Sequence, residues 1–217
     1  MRKALSCPPG SLFWRWLNIL LFPLKMLIPQ PIIKRIPGLT TNEDIRLQVV
    51  LGQVVGRVLD IGCGSNRLVR MYRQAGGEGV GVDVYRWPGA DLVVANSARL
   101  PFPDQSFETV TFVASLNHIP NRREVLREAW RLLKPEGRLV VTNLTPAISR
   151  LWHAWAFWDK DQYQRGMKVG EVWGFSHEEL EALLSHAGFG IVERRRFSWW
   201  FNNLYICVKK IGPPSLS

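Results

Sequence analysis

Two aspartates and two glycines are the residues whose types and spacing most clearly indicate a ligand-binding site. The apolar run Val58–Ile61 contains Asp60 and leads into Gly62 and Gly64, and glycines permit a tight turn in which the backbone approaches a ligand closely. A second β-rich run delivers Asp83 about 20 residues downstream, where such folds place a carboxylate for ribose hydroxyls. The pattern predicts two neighbouring parallel strands whose carboxyl ends bind a nucleotide-type ligand.

The glycine pattern also disfavours one class of ligand. A dinucleotide fingerprint needs a third glycine, three positions after the second, to allow close packing of helix on strand beside a pyrophosphate. Arg67 stands at that position. A pyrophosphate cofactor is therefore not expected.

An acid at the strand end, followed by Gly62-x-Gly64, resembles the first motif of class I S-adenosylmethionine-dependent methyltransferases. The resemblance covers roughly residues 42–210. It is nearest to the small-molecule and ubiquinone/menaquinone-biosynthesis group, through Ala98–Phe107 and Leu133–Gly137. It implies an enzyme of that family that uses S-adenosylmethionine as its cofactor.

The resemblance also implies which residues hold the cofactor. The glycine turn would line the methionine end with open backbone amides available to its carboxylate, and Asp83 would accept hydrogen bonds from both ribose hydroxyls. Asn96 replaces the family's usual aspartate, so we expect an uncharged acceptor for the adenine amino group. Ser97 would add a backbone contact, and Val84 or Leu116 would cover the adenine ring. The predicted cofactor-binding residues are Asp60, Gly62, Cys63, Gly64, Asp83, Val84, Asn96, Ser97 and Leu116.

His118 is the candidate general base. Methyl transfer from a sulfonium is an in-line displacement that needs alignment and exclusion of water, and a base only where the acceptor loses a proton. His118 follows the predicted fourth strand beside the cofactor edge. The alternative is that His118 is a residue at a helix entry whose ring bonds the backbone.

The tryptophans indicate an apolar acceptor. No Asn/Asp-Pro-Pro-Tyr/Phe tetrapeptide occurs, and Ser115–His118 stands in its place, which argues against methylation of amino groups on nucleobases or glutamine. Tryptophans gather in segments that cover the substrate side in this family, although such residues also serve as plain packing. The predicted substrate-side residues are Trp152, His153, Trp155 and Trp173, and Trp199 and Trp200 follow near the chain end.

The charge of the chain is concentrated at its start. The formal net charge is +10, and residues 1–40 hold six basic residues and no acidic one. Apolar residues at helical spacing over Ser11–Leu27 predict an amphipathic helix. The uncharged run between its basic residues is too short to span a bilayer, and Pro23 removes a helical hydrogen bond. We expect residues 1–37 to lie on an anionic membrane surface. The alternative is a lid helix packed on the protein's own core.

Composition bounds the remaining properties. The three cysteines Cys7, Cys63 and Cys207 have no paired spacing, so no disulfide and no metal site is expected. These features predict a cytoplasmic protein, in peripheral contact with the inner face of the membrane. Nucleic acid is not expected as a partner.

The elements that must position these residues follow an α/β rhythm. They predict a Rossmann-like, seven-stranded, mostly parallel sheet with helices on both faces and a C-terminal antiparallel strand. Thr41-x-x-Asp44 and Ser176-x-x-Glu179 predict helix starts by capping boxes. The predicted domains are a basic amphipathic segment at 1–40 and a methyltransferase domain at 41–217, with a Trp-rich insertion at about 145–175.

Two other functions stay open from the sequence. One is an RNA-directed methyltransferase, in which Arg194, Arg195 and Arg196 would form a patch that follows phosphates. The other is a protein that binds S-adenosylmethionine without turnover.

Overall fold

The computed structural model describes residues 12–26, 28–155 and 168–210, and its centre is one seven-stranded sheet. The strand order is β3-β2-β1-β4-β5-β7-β6, and only β7 runs antiparallel to its neighbours. The predicted fold class is therefore confirmed. The strands are β1 Arg57–Ile61, β2 Glu78–Asp83, β3 Leu92–Val93, β4 Phe107–Val113, β5 Leu133–Leu144, β6 Phe189–Phe197 and β7 Asn202–Lys209.

Helices cover both faces of the sheet, as predicted. Alternation along β5 separates the two cores, because Val140 packs with α4 and α5 while Leu139 and Val141 pack with α6 and α8. The described helices are α1 Leu12–Leu20, α2 Phe22–Met26, α3 Gln30–Ile33, α4 Asn42–Leu51, α5 Arg67–Gln74, α6 Arg122–Leu132, α7 Pro146–Trp155 and α8 His177–His186, with a 3₁₀ turn at Leu116–His118.

Two helices begin at the predicted capping boxes. Thr41 caps α4 and Ser176 caps α8, and in each the acidic residue at the third helical position bonds back to the cap backbone. Asn66 and Asn121 precede α5 and α6, but neither side chain caps its helix. Asn66 instead adopts a left-handed conformation and donates to Gly89 O and to Asp91. Its side chain therefore joins β2 to the following loop.

We define the leader as residues 12–40. The single helix predicted near its start is two short helices, α1 and α2. Pro23 has no N–H to donate to the carbonyl of Ile19, and the helix is interrupted at Leu21. Phe22 and Lys25 of this segment are buried, while Trp16, Leu20 and Leu24 are exposed. Burial lowers the pKa of Lys25 to about 8, with the charge of Asp44 opposing it. Ser11 and Leu27 lie outside the described residues.

Candidate functional site

The glycine turn and Asp83 meet at the carboxyl ends of β1 and β2. The N–H of Gly64 donates to Asp83 Oδ2 at 2.9 Å, and the N–H of Tyr85 donates to Asp83 Oδ1 at 2.9 Å. Asp83 is buried, with 6% of its surface exposed. A carboxylate has about four lone-pair sites, so both oxygens retain capacity for hydroxyl donors. The structure thus joins the two halves of the predicted site.

The backbone amides of this turn are already engaged. Gly62 and Cys63 both donate to Val82 O, at 2.9 and 3.1 Å, and Gly64 donates to Asp83. The sequence predicts open backbone amides for a ligand carboxylate, but the amides of Gly62, Cys63 and Gly64 donate within the protein because the turn closes on the neighbouring strand. Arg46 of α4 offers a cation at the same wall. Its Nη2 donates to Asn202 Oδ1, and its buried Nε has no hydrogen-bond partner among the described residues.

Asp60 lies buried at the base of the same cavity. Burial raises its pKa to about 7; the 2.6 Å hydrogen bond from Thr111 Oγ1 opposes this rise and the charge of Asp83 adds to it. The Cys63 thiol is held protonated, since burial and then the charge of Asp60 raise its pKa. Cys63 therefore shapes the turn and is not a nucleophile.

The cavity between these elements has a volume of about 650 Å³, within the range of small-molecule sites. Leu116 is the one predicted cofactor residue that is not on its wall. Leu116 is buried in the apolar core, since the 3₁₀ turn directs its side chain under the sheet edge. The predicted residues that line the cavity are Asp60, Gly62, Cys63, Gly64, Asp83, Val84, Asn96, Ser97 and His118.

Asn96 has a different bonding capacity from the one expected. Its Oδ1 accepts from the N–H of Ala98 and from Asn121 Nδ2, each at 2.9 Å. An amide oxygen has two lone pairs, so this acceptor is fully used. The Nδ2 group of Asn96 is the part that can still donate. The predicted contact from an adenine amino group to Asn96 Oδ1 is thereby disfavoured.

His118 lies at the exit of β4 and bonds a carboxylate, not the backbone. Its Nδ1 is 3.2 Å from Glu171 Oε2, and the Glu171 side chain is only 2% exposed. Sequence reasoning missed Glu171 because it is 53 residues away in the chain. No local signal identifies such a partner, since the pair exists only after residues 168–175 pack over β4.

That covering segment, residues 168–175, spans two strand exits. The N–H of Val172 donates to Asn117 O at 3.0 Å after β4, and Lys168 Nζ contacts the hydroxyl of Tyr85 after β2. Trp173 is half-buried in this segment and does not line the cavity. The side chains of Trp152, His153 and Trp155, and all of 156–167, lie outside the described residues.

The arginines of β6 do not form one free patch. Arg194 donates to Asn203 Oδ1 and lies over the ring of Tyr205, while Arg195 pairs with Glu193. Within the described ranges, no three histidine, cysteine or acidic side chains converge as metal ligands would. Arg67, which replaces the third glycine, pairs with Glu43 and Asp44 at 2.6 Å and so ties α5 to α4.

Comparison with known proteins agrees with this geometry. A family profile described as a methyltransferase domain matches residues 38–194. The ubiquinone/menaquinone biosynthesis C-methyltransferase UbiE of Bartonella quintana is 30% identical over 127 residues, which cover 51% of this chain and 48% of that protein. The 27-O-demethylrifamycin SV methyltransferase of Amycolatopsis mediterranei is 36% identical over 170 residues, covering 69% and 60%.

The chain thus spans about half the length of the UbiE relatives it matches. Among solved structures, the 1,6-didemethyltoxoflavin-N1-methyltransferase of Burkholderia thailandensis, with bound 1,6-didemethyltoxoflavin and S-adenosylhomocysteine, superposes with a TM-score of 0.60. It shares 15% identity and covers 97% of this chain and 94% of its own. At that identity the likeness shows the fold. By family match, fold and relatives together, the chain belongs to the class I S-adenosylmethionine-dependent methyltransferases.

Proposed function

We propose that this protein transfers a methyl group from S-adenosylmethionine to a small, apolar, lipid- or quinone-like acceptor. One observation supports it above the others: a single cavity brings together the glycine turn, the buried carboxylate of Asp83 and the imidazole of His118. When bound, the cofactor supplies an electrophilic methyl group on a sulfonium. The protein must then align the acceptor and exclude water.

The described residues fit that cofactor. Asp83 is a buried carboxylate with free lone pairs for the two ribose hydroxyls. Arg46 is proposed to hold the methionine carboxylate, because a guanidinium with an unpartnered Nε suits it. Asn96 is proposed to donate from Nδ2 to a ring nitrogen of the adenine, and Val84 and Ser97 to complete that end of the cavity.

His118 is proposed to take the proton that an acceptor hydroxyl or acidic carbon gives up. A hydrogen bond from Nδ1–H to Glu171 would leave Nε2 as the basic nitrogen, since a neutral imidazole has one donor and one acceptor. Glu171 is thus a positioning residue, and its burial fixes the ring. The arrangement performs the task of a general base without requiring any other described histidine.

The acceptor class is supported by relatives and by the surface of the chain. The relatives' names include ubiquinone/menaquinone biosynthesis and demethylmenaquinone methyltransferases. The basic, apolar leader is proposed to bring the enzyme to a membrane surface where such acceptors partition. Trp173, with Trp152, His153 and Trp155 of α7, is proposed for the acceptor side. Among the described helices, none has both the length and the apolar character required to cross a bilayer.

The raised pKa of Asp60 predicts a pH dependence of cofactor affinity. Below pH 7 the free protein holds Asp60 neutral, and a nearby cationic ligand favours its ionised form. Binding then releases a proton, so affinity rises with pH up to about 7, by at most about tenfold per pH unit, and levels off above it. Titration calorimetry in buffers of different ionisation enthalpy measures both effects. Asp60→Asn should abolish the dependence, and its persistence in that variant would contradict the assignment.

Removal of the base tests the chemistry. We expect His118→Gln to lower turnover by about 10²- to 10⁴-fold while cofactor affinity changes little, because His118 acts on the acceptor. Glu171→Gln should lower turnover less and shift the pH profile. His186→Gln is the matched control, since its ring is exposed and bonds Ala182 O on α8. Equal turnover in His118→Gln and wild type would show that His118 is not the base.

The acceptor itself is sought in a membrane lipid extract. The protein is incubated with the extract and an isotopically labelled methyl donor, and mass spectrometry identifies the labelled product. A labelled quinone or lipid supports the proposed function. Cofactor binding with no labelled product would support the rival of a protein that binds the cofactor without turnover.

A further inference from the structure

The leader is folded on itself through its polar side chains and packs on the body of the protein through Phe22. Asn18 Oδ1 accepts from Lys25 Nζ and from the N–H of Thr40, each at 2.9 Å, and Asn18 Nδ2 donates to Gly38 O at 2.7 Å. Phe22 is buried and packs edge-on against Phe201 at 5.6 Å. The leader therefore has a defined orientation in which Phe22 faces the body while Trp16, Leu20 and Leu24 are exposed.

A strained turn between β6 and β7 supplies a second exposed apolar group. Ser198, Trp199 and Trp200 have φ of 51°, 54° and 63°, a left-handed conformation that is unfavourable for bulky side chains. Trp200 is 71% exposed. The turn thus holds a large aromatic side chain away from the core.

The turn and the leader are joined by a specific hydrogen bond. Trp199 Nε1 donates to Ile19 O at 2.6 Å, and Ile19 O is the carbonyl to which Pro23 cannot donate. Trp16, Ile19, Leu20 and Leu24 of the leader are exposed beside this contact, and Trp16 is 69% exposed. Together with Trp199 and Trp200 they form one exposed apolar surface, here named the aromatic platform.

The platform lies at the same edge of the sheet as the cofactor cavity. Asn202, which follows the turn, pairs with Leu144 at the carboxyl end of β5, and β5 runs parallel to β4 and β1. Arg46 of the cavity wall donates to Asn202 Oδ1 at 3.1 Å. Lys34 pairs with Glu43, another residue of that wall, at 3.8 Å. Two residues near the platform in the chain, Asn202 after the turn and Lys34 of the leader, therefore contact the wall of the cavity.

The leader and the end of β6 that precedes the turn also carry exposed basic side chains, whose charge is complementary to an anionic surface. Lys34, Arg35 and Arg196 are exposed, and residues 1–40 contain no acidic residue. Tryptophans with an apolar ring and a polar N–H are suited to the boundary between lipid headgroups and acyl chains. Basic residues beside them add attraction to anionic headgroups.

We propose that the aromatic platform is a docking surface for an anionic lipid bilayer and that the Trp199–Trp200 turn, as well as the leader, inserts into the headgroup region. Docking through it turns the rim of the cofactor cavity toward the membrane, so that an apolar acceptor enters without crossing bulk water. This inference rests on the proposed function for the acceptor, but the binding surface itself does not depend on it.

The test uses the full chain and two kinds of vesicle, phosphatidylcholine alone and phosphatidylcholine with phosphatidylglycerol. We expect co-sedimentation with the anionic vesicles and a loss of about tenfold or more in partitioning for Trp200→Ala, since one large apolar group no longer transfers into lipid. Val192→Ala is the matched control. Val192 is an exposed apolar residue of β6, near the strand end remote from the turn, and its variant should bind like wild type.

Equal binding of Trp200→Ala and wild type, or no binding of wild type, would overturn the proposal. Self-association of wild type that Trp200→Ala abolishes, without vesicle binding, would assign the platform to a second copy of the chain and would overturn it too. Cofactor affinity and transfer to a detergent-dispersed acceptor are measured on the same proteins. Vesicle binding with no methyl transfer would support the platform and contradict the proposed function. Methyl transfer without vesicle binding would support the proposed function and contradict the platform.

Discussion

Replacing Asp83 with alanine is expected to weaken S-adenosylmethionine binding by about 10²- to 10⁴-fold. The carboxylate is proposed to accept from two ribose hydroxyls, and each hydrogen bond to a charged group contributes about 1.5–3 kcal/mol. The same substitution removes the acceptor for the N–H groups of Gly64 and Tyr85, so the glycine turn also loses its attachment to β2. The loss is measured by titration calorimetry with S-adenosylmethionine and with S-adenosylhomocysteine.

Asp91→Ala separates ligand contact from support of the turn. Asp91 accepts from the N–H of Gly81 and from Asn66 Nδ2, and it pairs with Arg73, yet it does not line the cavity. We expect this variant to lower the free energy of unfolding by about as much as Asp83→Ala does, and to change cofactor affinity by only a few-fold. Equal weakening of affinity in both variants would show that Asp83 acts only through the turn.

The local features of the fold were predictable because their causes are local. Thr41 and Ser176 cap helices through residues three positions away. The apolar pattern of a strand is likewise local, because it does not depend on which strands lie beside it. The meeting of Gly64 with Asp83 was predictable as well, because parallel strands that are consecutive in a βαβ unit end at the same edge of a sheet. These local patterns and the geometry of parallel strands were enough to predict the general position of the cofactor site.

The hydrogen-bond partners of individual groups could not be predicted from the sequence. Sequence spacing shows that Gly62, Cys63 and Asn96 can reach the cavity, but it does not show that their amides or oxygens are already used by the protein. Glu171 was missed for the opposite reason, since it acquires a role only from a tertiary contact with His118. Hydrogen-bond capacity at a site is a tertiary property, because each donor chooses among partners distant in sequence.

The leader shows the same division. Its amphipathic pattern was visible in the sequence, but a periodic pattern identifies two faces without saying which one meets the body. The side that packs inward carries Asn18, Phe22 and the buried Lys25. Lys25 Nζ donates to Asn18 Oδ1 and to Thr40 O. The strain at Trp199 and Trp200 was equally invisible, because no residue type in that turn marks a left-handed backbone.

Alanine at Gly62 is expected to be far more destructive than alanine at Gly64, although both glycines belong to one motif. Both have positive φ, 74° and 51°, which costs an alanine about 1–2 kcal/mol. A Cβ on Gly62 would lie 2.5 Å from the Cβ of Ser115, whereas a Cβ on Gly64 meets nothing within 4 Å. Overpacking then adds about 1–3 kcal/mol at Gly62 alone. Urea unfolding should show losses of about 2–5 kcal/mol for Gly62→Ala and about 1–2 kcal/mol for Gly64→Ala.

A second substitution identifies the clash as the cause. Ser115→Gly removes the side chain that the new methyl group would strike, and by itself it loses the 2.7 Å hydrogen bond from Ser115 Oγ to Ile61 O, at a cost of about 1 kcal/mol. If the clash dominates, Gly62→Ala with Ser115→Gly is more stable than the sum of the two single losses predicts, by about 1–3 kcal/mol. Additive losses would mean that backbone strain alone requires the glycine. In that case the close approach of the β1 turn to the exit of β4, which brings His118 to the same cavity as Asp83, is not what constrains residue 62.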